Sequence, residues 1–594
     1  MMRRSMIARI RASDKPLGRV LRPLGAGAAL VFAAVGPLFA QSPPPWPQFG
    51  RTPQHGGASP VVAQPLDAIR ADVPYDPFVE QMKIDGDGDL LAHYAPPLLD
   101  ETGVYMVFKS GVYQGFGQWS TLIWSVKKLQ WIAGSLQVVW TFDSDWKPAP
   151  IEVAAWEPIF LPALGGDSVY VPGLGATVHR VSKETGAEIG VWNPFPDVDP
   201  NRYLVGGVVI GPDGGLVYDA VGFAADDPRH PISGAWLVKI SAAGQAARAD
   251  FATLVPGAPD PGGACSGSFD SDQLPWPPST GATPPSILCG AQRPGINVVP
   301  AIAPDGTIYT LSRAHVADRY SYLVAAGSDL TPKWASSLRG ILNDGCGVLL
   351  PDDGSNQGCR AGANRGVDPA TNDRPAGRVS DQGTSSPVVL PDGSVVVGTF
   401  TSYNFFRGHL FKFSGSGDAL ATYDFGWDIT PAVWPHDGTY SLLLKDNHYT
   451  SANGDSYYDV TSLDAGLVPE WSYRAANTES CVRQTGGSIT CVDDHPEGFE
   501  WCVNQPAIDA TGTVYLNSED GTLYGFDRQG SVVGKIFLDT ALGAAYTPVA
   551  LGPDGIVYTQ NNGHLFAVGQ PQFPRAVPAA LPPAIPSPRV VERP

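Results

Sequence analysis

At 594 residues, 43% hydrophobic and only 16% charged, the chain is too apolar to stay disordered, and its apolar residues are too evenly spread for a multi-span membrane protein. Its 68 Gly and 57 Pro break helices and punctuate turns, which favours many short strands. The net charge of −19 becomes −25 once the first forty residues, with seven basic side chains against one acid, are set aside; such a chain repels phosphate backbones, which argues against a nucleic-acid partner.

The N-terminus opens with Arg3, Arg4, Arg9, Arg11, Lys15, Arg19 and Arg22, followed by an apolar run of mostly small residues from Leu24 to Ala40 and a Pro-rich stretch from Gln41. A basic leader, a run of signal length and a polar flank predict a secretory signal over 1–40, with an uncleaved anchor as the alternative. Removal of that signal leaves no membrane span and a periplasmic or extracellular protein. Residues 41–92 then form a lead-in segment. Within it, Asp85-Gly86-Asp87-Gly88-Asp89 has the start of a calcium loop, but Leu90 and Pro96 stand where an EF-hand needs Gly and Glu, so a solvated turn is expected.

From residue 93 to 569 the chain repeats every 40 to 50 residues or so. Each unit reads as a Pro, a short apolar strand, a Pro-Asp-Gly or equivalent turn, and a second strand ending near Tyr, with two further strands behind. Clear copies run from Val299 to Tyr309, Ser386 to Val396, Gln505 to Tyr515 and Thr547 to Tyr558. Looser copies start near Ala95, Trp156, Gly207 and Thr430, which gives eight starts. Asp-Gly supplies the positive φ of a tight hairpin turn, and the Val- and Ile-rich cores suit sheets buried on both faces. Trp140, Trp334 and Trp471 close their units and are expected to wedge between neighbouring sheets. The pattern predicts an all-β, eight-bladed β-propeller of four-stranded antiparallel blades.

Three insertions, at about 256–295, 340–383 and 476–502, interrupt the repeats and carry all seven cysteines. Cys265 and Cys289 bracket the first, Cys346 and Cys359 the second, and Cys481, Cys491 and Cys502 crowd the third. In an exported chain these are disulfide candidates that stiffen long loops, with the odd cysteine of the last group left open. Residues 570–594 are Pro- and Ala-rich and are expected to form a disordered tail.

The repeat resembles that of the quinoprotein-like (PQQ-binding-like) β-propellers, with Glu519-Asp520-Gly521-Thr522-Leu523-Tyr524-Gly525-Phe526-Asp527 close to their second hairpin. The stretch Trp46-Pro47-Gln48-Phe49-Gly50-Arg51-Thr52-Pro53-Gln54-His55-Gly56-Gly57 is similar to the motif that opens the mature chain in that family. The resemblance implies that the lead-in segment supplies an outer strand to the last blade, which hides a sheet edge. It also implies a site at the mouth of the central channel, where the residues just before each innermost strand point. Glu157, Asn297, Asp428, Asn504 and Gln505 are the candidate cofactor-binding residues there, on the expectation that hard-cation sites use oxygen ligands. No catalytic residue and no metal ligand are assigned. The adjacent Cys-Cys pair of many alcohol-oxidising members and a haem-attachment motif are absent from the sequence, and the inferred ring at the channel mouth is mostly small and neutral, with no cluster of Arg or Lys. The expectation is therefore a monomeric exported scaffold that binds a protein, glycan or cell-envelope partner without a cofactor. The alternative is an alcohol or sugar dehydrogenase dependent on PQQ and calcium.

Overall fold

The computed structural model describes residues 46–571, apart from 225–226, 228, 271–277, 343–344, 347–363, 402–406, 427–428, 449–455 and 544. The expected signal, most of the expected tail, Asp428 and Cys359 lie outside the described residues.

Local turn chemistry builds the hairpins. Asp305, Asp392, Asp509 and Asp554 each accept a hydrogen bond through Oδ1 from the main-chain N–H two residues on, at 2.9, 2.9, 2.8 and 3.1 Å. Gly306, Gly393 and Gly555, directly after three of them, and Gly512, three residues after Asp509, take a φ of 80° to 86°, which a side chain resists. Strands on either side of these turns pair antiparallel, and eight such sheets form an eight-bladed propeller. The blades span 98–143, 163–192, 202–250, 301–337, 388–426, 432–474, 507–537 and 550–569. In blade 4 the innermost position is shared by two short pieces, Gln292–Pro294 and Ala301–Ile302, both paired with Ile308–Ala314. The fourth strand of blade 8 is Ala68–Pro74, from the lead-in segment, which pairs with His564–Gly569.

The core lies between blades rather than around the axis. Val388, Leu410 and Val396 of blade 5 pack on Leu442, Leu444 and Leu463 of blade 6, for example. Each such fully buried side chain contributes about 2 kcal/mol. Tryptophan fixes the blade-to-blade spacing. Trp140, Trp192, Trp334 and Trp471, all on fourth strands, lie against Gly186, Gly244, Gly417 and Gly530 in the last turn of the following blade. A Cβ on any of these glycines would come within 2.5 to 2.8 Å of the ring, and all four have positive φ. Between blades 3 and 4, Asp219 is fully buried. Its Oδ2 accepts from Thr310 Oγ1 at 2.5 Å, its Oδ1 has no partner, and burial pushes its carboxyl up to about 8.

In an antiparallel four-stranded blade the first strand starts, and the fourth strand ends, on the same side of the ring. Every blade-to-blade connection therefore lies on one face, the strand-start face. The opposite, turn face carries the first and third hairpins of the blades, among them those at Asp305-Gly306, Asp392-Gly393 and Asp554-Gly555, whereas second hairpins such as that at Asp520-Gly521 lie on the strand-start face. Residues 46–64 run around the axis there and bond each blade in turn. Trp46 and Leu99 exchange main-chain bonds of 3.2 and 2.8 Å. The N–H groups of Leu164, Ile302, Val389, Val433 and Ile508 donate to the carbonyls of Pro47, Pro53, Gln54, Gly56 and Gly57 at 2.7 to 3.0 Å. Ile210 N–H donates to Gln48 Oε1 at 2.8 Å, and Gln64 N–H donates to Gly555 O at 2.7 Å.

Candidate functional site

At the strand-start end of the axis, the residues preceding the innermost strands bond one another. Asn297 Oδ1 accepts from Ile159 N–H at 3.0 Å, Ser386 Oγ from Val299 N–H at 3.0 Å, Thr430 Oγ1 from Ser386 N–H at 3.0 Å, and Asn504 Oδ1 from Thr430 N–H at 2.8 Å. Main-chain bonds from Tyr94 to Tyr546, His93 to Glu157 and Thr547 to Cys502 continue the circuit. Residues 381–385 cross this mouth. Asn297 Nδ2 donates to Asp381 O at 3.0 Å, Thr430 Oγ1 to Thr384 O at 3.1 Å, and Asn504 Nδ2 to Thr384 Oγ1. His93 Nε2 lies 2.8 Å from Gln382 O.

Asn297 and Asn504 thus share one structural position, in which each amide ties a neighbouring blade to the crossing segment. Gln505 points the other way: its Nε2 donates to His55 O at 2.6 Å and Pro431 O at 2.7 Å, beneath the lead-in segment. Its Oε1 is buried without a partner. Glu157 is buried against Lys109 at 2.6 Å, and Lys109 also meets Asp76 at 2.7 Å. Tyr94 OH donates to Asp76 at 2.9 Å. Burial pushes the Glu157 carboxyl up against the pull of Lys109. Burial acts to lower the Lys109 ammonium, but Asp76 and Glu157 outweigh it and raise it.

Among the described candidates this arrangement leaves calcium no free amide oxygen at the mouth. Calcium takes six to eight oxygen ligands. Here both amides of the ring are engaged at oxygen and nitrogen, the Glu157 carboxylate is engaged by an ammonium, and the crossing segment lies over the mouth.

Cationic groups that the sequence did not reveal stand beside the crossing segment. Arg293 holds Asp381 in a bidentate pair of 2.8 and 2.6 Å, and Arg313 reaches the same carboxylate at 2.8 Å. Burial alone would raise Asp381, yet the two arginines hold it down at about 2. Arg293 Nε donates to His315 Nδ1 at 3.1 Å; burial, with the Arg293 charge, lowers His315 to about 4 and keeps it neutral. These groups line a cavity of about 480 Å³ with Arg229, Asp318 and Phe400. Arg293 and Arg313 face each other on paired strands. That pairing is a signal a register count could have found, but Asp381 lies 88 residues from Arg293 and nothing local announces it.

Glu500, Cys502 and Glu519 place their ligand atoms within 4.8 Å of one another. Burial, then the charge of Glu519, pushes the Cys502 thiol well up. A protonated thiol between carboxylates is a weak nucleophile and a weak ligand.

All three insertions are fourth-to-first-strand connections and so share the strand-start face. Two pack together, with Phe269 N–H donating to Ala370 O at 2.8 Å and Asn372 Nδ2 to Ser279 O at 2.9 Å. Disulfides join Cys265 to Cys289 and Cys481 to Cys491, and Cys346 is also disulfide-bonded. Cys502 is the free thiol of its group. No helix among the described residues is long and apolar enough to cross a membrane.

No family model matches the chain, and no curated protein matches it. Among solved structures it is similar to a europium-containing methanol dehydrogenase, at 11% identity over 87% of this chain and 89% of that one, with a TM-score of 0.48. It is similar to the quinohemoprotein alcohol dehydrogenase from Comamonas testosteroni, at 10% identity over 89% and 82%, with a TM-score of 0.47. It is also similar to BamB from Moraxella catarrhalis, at 10% identity over 85% and 99%, with a TM-score of 0.38. Likeness at this distance concerns the propeller fold and says nothing of activity.

Proposed function

We propose that this chain is an exported, monomeric, non-catalytic propeller that recognises a protein or cell-envelope partner through its strand-start face. The observation that carries the reading is the asymmetry of the two faces. The turn face is short hairpins sealed by the lead-in segment, whereas all three long insertions leave from the other face. Long loops on a rigid frame are where recognition concentrates. Disulfides within those insertions suit an oxidising compartment. The engaged amides of the ring weigh against the alternative, a quinone dehydrogenase.

The test immobilises the mature protein and captures partners from solubilised cell envelope. Capture should survive substitutions on the turn face and be lost when 256–295 is replaced by a short Gly-Ser link in a variant that still melts cooperatively. Uptake of pyrroloquinoline quinone with calcium, followed by alcohol-dependent reduction of a dye, overturns the reading in favour of the dehydrogenase.

A further inference from the structure

The third insertion contains a hairpin, Glu479–Arg483 paired with Ile489–Asp493 in an unbroken register. Cys481 and Cys491 stand directly opposite, with Cα atoms 4.1 Å apart. That short spacing marks a non-hydrogen-bonded pair, in which the main-chain groups of both residues point away from the partner strand. The first strand obeys this. Cys481 O accepts from Ala541 N–H at 3.0 Å, and Arg483 N–H donates to Asp539 O at 2.7 Å, both on the side away from Ile489–Asp493. By the same alternation the N–H and C=O groups of Ile489, Cys491 and Asp493 point out from the free edge of the second strand.

That edge is open. All five residues of Ile489–Asp493 are exposed, and no main-chain bond among the described residues reaches its outer side. It carries no Lys, no Pro and no bulge, and its one charge is the acid at Asp493. It is also held in place. The disulfide pins it to the first strand, whose Arg483 guanidinium donates to Leu538 O and Phe537 O at 2.7 Å each. Asp493 ends the strand, Asp494 and Glu497 follow it and Glu479 stands opposite Asp493, all exposed, while the Arg483 guanidinium is turned to Leu538 and Phe537, so the open end of the hairpin is acidic. Val482, Ile489 and Val492 add exposed apolar surface.

We propose that the outer edge of Ile489–Asp493 accepts an extended strand of a partner protein by β-strand addition, and that this strand carries Lys or Arg at alternate positions. The inference rests on the strand-start face being the recognition face and names how that face engages. Main-chain bonds supply the docking and the acidic rim selects a basic strand. A second copy of this chain brings the same acids to the edge and is repelled.

The test uses the mature protein and a synthetic nonapeptide of alternating Thr and Lys, with binding read by fluorescence anisotropy and amide protection by hydrogen exchange. The peptide should bind saturably, weaken with salt, and slow exchange at Cys491 and Asp493. Ile489→Pro removes an outward donor and leaves the inward ladder intact, so it should weaken binding at least tenfold without changing the melting curve. Asp493→Lys with Asp494→Lys, which keeps the main chain, should do the same. Equal binding to wild type and Ile489→Pro overturns the proposal, as does a concentration-dependent dimer that Ile489→Pro abolishes. If Ile489→Pro captures the envelope partner as well as wild type does, strand addition falls and the face reading stands. If no strand-start variant affects capture, the face reading falls with it.

Discussion

The two ends of the propeller axis are closed by different means. At the turn face one continuous segment, 46–64, bonds all eight blades, mainly through main-chain groups, with side-chain bonds from Gln48, Gln54, His55 and Gln64 added. At the strand-start face half of the circuit is closed by side chains, Asn297, Ser386, Thr430 and Asn504, the other half by main-chain bonds at Tyr94, His93 and Thr547, and a crossing segment held by a buried arginine pair lies over it. Main-chain closure depends little on residue identity and suits a structural seal. Side-chain closure depends on each residue, so that end can diverge, and it is there that the insertions sit.

The strongest way to break this contrast is to remove 46–64. Each of the eight blades then loses a buried hydrogen bond at about 1–3 kcal/mol, about 8–24 kcal/mol together, which is as large as the roughly 5–15 kcal/mol that holds a typical domain. The expected outcome is no cooperative melting transition by calorimetry. A folded, stable truncation would show that the turn face is not the seal. Next in size are Lys109→Met, which strands Asp76 and Glu157, and Asp381→Asn, which strands Arg293 and Arg313. Each should cost about 3–5 kcal/mol in urea unfolding. Only Asp381→Asn should also speed hydrogen exchange in 381–385, which would tie the crossing segment to the arginines.

Asp219 lies between blades, away from both ends, and sharpens the contrast as a control. Its folded carboxyl is raised to about 8 from an ordinary value near 4, so between those values the folded state holds a proton that the unfolded state has released. Stability from this group is full at low pH and is lost as pH rises towards 8. Asp219→Asn should remove that slope from the pH profile of the urea midpoint and leave capture unchanged. The smallest global effect belongs to Cys481→Ala with Cys491→Ala. Losing a bridge that closes a loop of about ten residues costs roughly 2–3 kcal/mol, and all of it should appear as faster exchange within 479–493 while the global midpoint stays in place.

The fold was legible because its signals are local. Asp305-Gly306 and its counterparts dictate a turn wherever they occur, and the tryptophans that close four of the units meet a turn glycine one blade on. The positions before each innermost strand were legible too, since they follow from counting back from those turns. What they do was not. Asn297 and Asn504 read as oxygen donors for a ligand, and their partners, at positions 381 and 384, lie at the end of an insertion and just past it, with no repeat to count from. For the arginine cluster the pairing of Arg293 with Arg313 was open to a register count, but the carboxylate they share, Asp381, is brought near only in the folded chain.

The strand Ala68–Pro74 completes a blade whose other strands are the last to be made, and Gln64 bonds a residue 490 positions further on. At a synthesis rate of about 5–20 residues per second, the early strand waits roughly half a minute to a minute and a half for its mate. Until then its edge is open to proteases and chaperones. Only a chain made through to residue 569 can withdraw that edge, so the ring itself tests whether synthesis was finished.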